Sequence, residues 1–197
     1  MSFVYAIDYW LFAAINGLAG RSPWLDAPAR LLLNDYFVPT VLALALLALW
    51  FESKDLAGRD RTNQRAVLAA TLSAILANTV LKGLNLLYFR PRPFAQHAVN
   101  LLFYHPTDSS FPSNAAALGF AIAAGVWFYN RTWGGGLLVI AGLFGLSRIF
   151  GGVHYPLDVL AGAAVGWSSA YFIYRQTCLL NRLLGFTATL AEKLGLI

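Results

Sequence analysis

Five stretches of the chain stay apolar for long enough to suggest bilayer crossings, which take roughly 20 residues. They cover residues 36–51, 64–89, 113–130, 133–150 and 156–174. The first is short by that measure. A sixth stretch, 3–18, is apolar except for Asp8 and Asn16, and both a spanning and an interfacial placement stay open for it. Residues 29–33 belong to a short amphipathic link. The end of the chain, from Cys178 onward, mixes Arg182, Glu192 and Lys193 with leucines, the pattern of a helix lying on a membrane surface. No internal repeat or linker interrupts this order. The pattern predicts an all-α, polytopic membrane helical bundle of about six transmembrane helices, forming one domain over residues 1–197.

Composition agrees with the pattern. Of 197 residues, 58% are hydrophobic and only 12% are charged, about half the share usual in a soluble domain. The net charge of +5 is informative by position, not as a sign of nucleic-acid binding, and no nucleic-acid partner is expected. Lys54, Arg59, Arg61 and Arg65 crowd one loop. If the spans alternate, Arg131, Arg175 and Arg182 fall on the same side, which the positive-inside rule makes cytoplasmic. One cysteine, Cys178, excludes an intramolecular disulfide framework. The first ten residues lack a basic region and carry Asp8, so no cleavable signal peptide is expected.

The opposite, extracytoplasmic side collects three polar stretches: "LKGLNLLYFRPRPF" with Lys82, Arg90 and Arg92; "DSSFPSNAAA" from Asp108; and "SRIFGGVHYPLDV" with Ser147, Arg148, His154 and Asp158. They are distant in sequence, yet alternating spans bring all three to one membrane face. Pro156 suits the first turn of a helix, so His154 stands at the mouth of that helix, with Asp158 one turn in and able to reach back. A carboxylate bonded to one imidazole nitrogen fixes the tautomer and frees the other nitrogen as a nucleophile. Gly151 and Gly152 permit the tight turn that lets Arg148 cross to the same place. Several cations around one histidine suit phosphoryl transfer, which relies on positioning and on neutralising phosphoryl oxygens. Asp108 and Asp158 are the only acids on the loops involved, too few for a two-metal phosphatase.

Each fragment has a plainer reading. A single histidine at an interface is more often structural than catalytic, Arg and Lys near helix ends commonly snorkel, and Pro-Ser before a helix is commonly a cap. The convergence of three such fragments on one face shifts the balance towards a site.

The motifs resemble those of the type 2 phosphatidic acid phosphatase superfamily of membrane lipid phosphatases. "SRIFGGVHYPLD" matches its Ser-Arg-x5-His-x3-Asp signature, "FPSNA" resembles its Pro-Ser-Gly-His motif, and "KGLNLLYFRPRP" its Lys-x6-Arg-Pro motif. The order is the family's, and "RPRPF" followed by "DSSFPS" is most similar to the bacterial undecaprenyl-diphosphatase branch. The resemblance implies that His154 attacks phosphorus to form a phosphohistidine, that Asp158 orients it, and that Lys82, Arg90 and Arg148 hold phosphoryl oxygens with Ser113 and the backbone N–H groups of Asn114 and Ala115. Arg92, Ser147, His105 and Asp108 are further candidates. It implies no metal or other cofactor, and a polyprenyl or other lipid phosphate as substrate, undecaprenyl diphosphate first. Phosphatidate, phosphatidylglycerol phosphate and lipid A are the alternatives, and a lipid-phosphate-binding or transport protein is the non-enzyme reading. The location implied is the inner (plasma) membrane.

Two positions depart from the family pattern. Lys82 precedes Arg90 by eight residues where the motif has seven, which leaves the choice between Arg90 and Arg92 open. Ala115 stands where the motif closes on histidine, the proton donor to the leaving group. A His→Ala variant, a protein using His105 or Asp108 as its acid, and a protein without turnover all fit that substitution.

Overall fold

The computed structural model describes residues 3–52 and 61–193. Among them the elements are all helical: α1 (Phe3–Asn16), α2 (Pro23–Leu33), α3 (Phe37–Phe51), α4 (Thr62–Leu87), α5 (Pro93–Gln96), α6 (Asn114–Trp127), α7 (Arg131–Phe150), α8 (Pro156–Tyr174) and α9 (Thr177–Lys193). Lys54 and Arg59 of the basic loop lie outside the described residues.

The expected all-helical membrane bundle is what the structure has, while helix length and hydropathy do not fix the number of spans: α4 and α7 are each long and apolar enough to cross a bilayer, and α2 with α3, bent by 62°, is either one broken span or a re-entrant pair. The bend falls where the sequence suggested a mere link. Helix α6 has 14 residues, about 21 Å at 1.5 Å per residue, against a hydrocarbon core of about 30 Å. The stretch 113–130 is therefore apolar because α6 runs through the interior of the bundle, not because it meets lipid on all sides.

Helix α6 packs on α4, α7 and α8. Its buried residues include Ala116, Ala117, Ala121, Ala123, Ala124 and Val126. Small side chains allow backbones to approach closely, which gives van der Waals contact in a medium where apolar burial alone gives little. The approach is closest to α8: a Cβ on Gly162 would overlap the carbonyl oxygen of Ser113, and one on Gly166 would overlap that of Ala117. Large apolar side chains face outward instead, among them Leu44, Ile75, Val139, Leu160 and Phe172. This inverts the soluble pattern and presents an apolar belt to lipid.

Among the described residues, the buried charged side chains gather at one end of the bundle. Arg90 and Arg92 follow the C-terminus of α4, Ser113 precedes α6, Arg148 ends α7, and His154 precedes α8. At the other end, Asn130 Nδ2 donates to Asn63 Oδ1 at 3.0 Å, placing the α6–α7 turn beside the start of α4. The three polar stretches thus share one end, as alternation of the spans predicts. Asn16 ties α1 to this end. Its Nδ2 donates to the carbonyls of Asn100 and Phe150, both at 2.8 Å, and its Oδ1 accepts from the Asn100 N–H at 2.9 Å. The predicted tight turn follows α7, with Gly152 at φ +84°, a conformation that strains any residue with a Cβ.

Candidate active site

Helix α4 ends at Leu87, before Arg90, because the chain leaves helical geometry at Tyr88 (φ −145°, ψ 125°) on the way to Pro91. Arg90 and Arg92 therefore sit beyond the helix on a non-helical segment, and their side chains reach different partners. Arg92 lines a cavity of about 250 Å³ together with Arg148, His154, Asn114, Ala115, Asp108, Asp35, Tyr104 and Asn78. Arg90 turns the other way, into a buried cluster.

His154 is buried at the floor of this arrangement. Its Nδ1 lies 2.8 Å from the carbonyl oxygen of Ser110. A carbonyl only accepts, so Nδ1 carries the hydrogen and Nε2 keeps its lone pair. Nε2 lies 3.1 Å from Arg92 Nη1, which donates to it and also to the Val153 carbonyl at 3.0 Å. Burial lowers the imidazole's pKa well below the usual histidine value, and the positive charges of Arg92, Arg148 and Arg90 push it in the same direction. The ring is neutral at pH 7, and its Nε2 lone pair accepts from the Arg92 guanidinium at the cavity.

The expected direct bond from Asp158 to His154 is not made. Asp158 Oδ2 lies 3.9 Å from Nδ1. It instead accepts from Ser110 Oγ at 2.6 Å and from the Tyr155 N–H at 2.9 Å. Asp158 sits in the first turn of α8, where its reach back closes a capping box, and Ser110 is inserted between carboxylate and imidazole. The carboxylate thus acts on the ring through the residue that supplies its hydrogen-bond acceptor.

Arg90 was expected among the phosphate-holding groups; in the structure its guanidinium is paired with two buried carboxylates. Nη1 donates to Asp158 Oδ1 at 2.5 Å and Nη2 to Asp8 Oδ2 at 2.7 Å, while the guanidinium stacks over Tyr155, 4.2 Å from the ring centroid. With both carboxylates buried, the guanidinium is committed to them. Asp8 also accepts from the Leu157 N–H at 2.9 Å, one of the free donors at the start of α8. A carboxylate inside an apolar stretch is costly unless paired. That signal marked Asp8 in the sequence, but its partner lies 82 residues away.

Other candidates part company with the site. Lys82 is exposed and is not among the residues lining the cavity. His105 is exposed and packs edge-on against Phe94 at 4.9 Å. Ser147 Oγ donates back to the Phe144 carbonyl at 2.7 Å. Ser113 caps α6, its Oγ accepting from the Ala116 N–H at 3.4 Å, so the plainer reading of Pro-Ser holds for the side chain. Asn114 and Ala115 do line the cavity, in the first turn of α6, where backbone N–H groups lack intrahelical acceptors and favour anions. Arg90 and Arg92 are each followed by a proline, and of the two it is Arg92 that lines the cavity.

Arg148 completes the cavity. Its guanidinium lies between the rings of Phe144 (4.7 Å) and Phe103 (5.1 Å), and Nη2 donates to Asp35 Oδ1 at 3.2 Å. Asp108 pairs with Arg92 at 2.8 Å. Sequence reasoning missed Asp35, Ser110, Tyr104 and Asn78. Ser110 lay inside a motif already singled out. Asp35 lay in a segment read as a link.

Comparison with known proteins shows the family. Residues 65–182 match the PAP2 superfamily. The chain is 33% identical over 175 residues to undecaprenyl-diphosphatase BcrC of Bacillus subtilis (strain 168), covering 89% of this chain and 86% of that one. It is 29% identical over 157 residues to the putative undecaprenyl-diphosphatase YbjG of Escherichia coli (strain K12), covering 79% and 75%. Among solved structures, LpxE of Aquifex aeolicus superposes with a TM-score of 0.66 at 28% identity, over 86% of this chain and 95% of that one. A PAP2 type phosphatidylglycerolphosphate phosphatase of Bacillus subtilis shares the fold, with a TM-score of 0.61 at 24% identity over 88% and 85%.

Proposed function

We propose, from the premise that this chain belongs to the PAP2 superfamily, that it is built to remove the terminal phosphate of undecaprenyl diphosphate through a phosphohistidine on His154. The observation that carries this reading is the locked tautomer: Nδ1–H is held by the Ser110 carbonyl, and Nε2 stands beside Arg92 at the cavity. Similarity to the undecaprenyl-diphosphatases directs the choice of lipid.

The terminal phosphoryl group enters between Arg92 and Arg148, which neutralise its oxygens, while the first-turn N–H groups of Asn114 and Ala115 add neutral donors. The Nε2 lone pair attacks phosphorus. The P–O bond to the inner phosphate breaks, and undecaprenyl phosphate departs with the bonding electrons. Water then attacks the phosphohistidine, releasing inorganic phosphate and restoring the neutral ring. The transient positive charge on the ring is offset by Asp158 through Ser110, and Arg90 with Asp8 holds Asp158 in place.

Ala115 supplies no proton in either step. General acid–base assistance is worth about 10²–10⁴-fold. The first step suffers less, because a phosphate ester anion leaves far more readily than an alkoxide. The second also needs a base for water. The chain as it stands is therefore slow, and the phosphoenzyme outlasts its formation. The basic loop side supports an extracytoplasmic site in the plasma membrane, which suits recycling of a carrier lipid for cell-wall synthesis.

The test compares phosphate release from undecaprenyl diphosphate by this chain and by Ala115→His. A gain of at least a hundredfold is expected, together with acid-labile phosphate on the native chain that disappears in His154→Ala. No gain would sink the missing-acid reading, and no labelling would sink the nucleophile. Lipid A, phosphatidate and phosphatidylglycerol phosphate belong in the same assay as competing substrates.

A further inference from the structure

Asp35 has no part in the chemistry above, yet it lines the cavity. It stands in the bend between α2 and α3, a turn pinned by Asn34 Oδ1, which accepts from the N–H groups of Tyr36 (2.9 Å) and Phe37 (3.1 Å). Asp35 Oδ1 accepts from Arg148 Nη2 at 3.2 Å, and Oδ2 accepts from the Tyr104 hydroxyl at 2.9 Å. The two partners are unequal in freedom. The Arg148 side chain is 7% exposed and that of Asp35 is 40% exposed. The guanidinium carbon stands over the rings of Phe103 and Phe144, and its N–H edge is what it offers an anion. On that edge Nη2 is taken by Asp35, while Nε is buried with no hydrogen-bond partner.

A fixed cation with a spare buried donor, facing a movable acid, is poorly explained as simple support. Support for Arg148 comes from the two rings. We propose that Asp35 is an internal competitor for the phosphate-binding edge of Arg148. When no phosphate occupies the site, the carboxylate neutralises the guanidinium. An incoming phosphoryl group displaces it towards water, and its return helps expel inorganic phosphate after turnover. Asp35 thus sets how weakly the product is held. This rests on the reading that the cavity takes a phosphoryl group, but not on which lipid carries it.

The sign of the effect separates competition from support. Replacing Asp35 by Asn keeps a carbonyl acceptor for Tyr104 and removes the competing charge. Partly exposed ion pairs are modest in strength, so Asp35→Asn should tighten binding of inorganic phosphate by about threefold to tenfold, measured by calorimetric titration of the full chain in detergent. In an Arg148→Ala background the same substitution should give no gain, because the two residues act on one another. Asp35→Ala, checked for an unchanged melting temperature, should repeat the gain. Equal or weaker binding by Asp35→Asn, a gain that survives loss of Arg148, or no phosphate binding by any of these proteins would overturn the proposal. Failure of the undecaprenyl assay alone leaves these titrations unaffected, so the two ideas fail separately.

Discussion

Replacing Ser110 by Ala removes a single hydroxyl and tests whether Asp158 acts on His154 through that residue. The Ser110 Oγ donates to Asp158 Oδ2 at 2.6 Å, and the site is fully buried, so water has little access to substitute. The carboxylate then keeps only the Tyr155 N–H and Arg90. A hydrogen bond to a charged group is worth about 1.5–3 kcal/mol. At about 1.4 kcal/mol per factor of ten, Ser110→Ala should slow the first step by roughly 10- to 150-fold, provided the bond strengthens as charge develops on the ring. The backbone carbonyl of Ser110 still holds Nδ1–H, so substrate affinity should change little. The assay is single-turnover phosphoenzyme formation from undecaprenyl diphosphate in an Ala115→His background, with the concentration dependence separating KM from kcat and thermal melting as a control on folding. A change within twofold, while Asp158→Asn is severely impaired, would refute the reasoning. It would mean that the carboxylate closes its 3.9 Å gap and bonds the imidazole directly during the reaction.

Three further outcomes follow from the same geometry. Asp8→Ala should destabilise the protein by about 3–5 kcal/mol, the usual cost of breaking a buried ion pair from one side, because it strands half of Arg90 and the Leu157 N–H; a melting temperature near that of the native chain would contradict the pairing. Lys82→Ala should leave phosphate release within twofold of its parent, while Arg92→Lys, which keeps the charge but loses the fork that meets Val153, His154 and Asp108, should reduce it at least tenfold; the reverse ranking would restore Lys82 to the site. The low pKa of His154 predicts a rate of phosphoenzyme formation that stays level as pH falls to the usual histidine range and declines only well below it. For stability the sign is that of a group kept neutral by folding: its contribution is complete above the unfolded pKa and is lost as pH falls from there towards the lower folded value, since the unfolded chain takes up the proton first. An acid limb at or above pH 6.5, or stability that rises on acidification through that window, would contradict the buried neutral ring.

The sequence made the bundle and the neighbourhood of the site legible, because both depend on local pattern. Apolar runs require internally bonded helices in lipid, and Pro156, Gly152 and the Pro-Ser turn mark helix starts and sharp turns wherever they occur. The family motifs then placed His154, Arg148 and Asn114 at one end of the bundle. Arg90 and Arg92 show where such reading stops. Two residues apart beyond the end of α4, they reach different partners, and only the packed positions of Asp8 and Asp158 decide which arginine is consumed in the interior. Lys82 was offered by the motif resemblance despite a spacing one residue too long, and it is exposed and absent from the cavity lining.

What the sequence by itself determined is the class of molecule, the end of the bundle where the polar motifs gather, the nucleophile candidate, and that Ala115 stands where the resembled motif closes on histidine. These are statements about residue types and about separations of a few positions. What only the tertiary structure decided is how the charges pair: Arg90 with Asp8 and Asp158, Arg148 with Asp35, and His154 with the Ser110 carbonyl in place of Asp158. Those partners are 82, 68, 113 and 44 residues apart. In a buried site each charge must find a partner, but sequence spacing says nothing about which of several distant candidates the packing of α1, α2 and α8 delivers within reach.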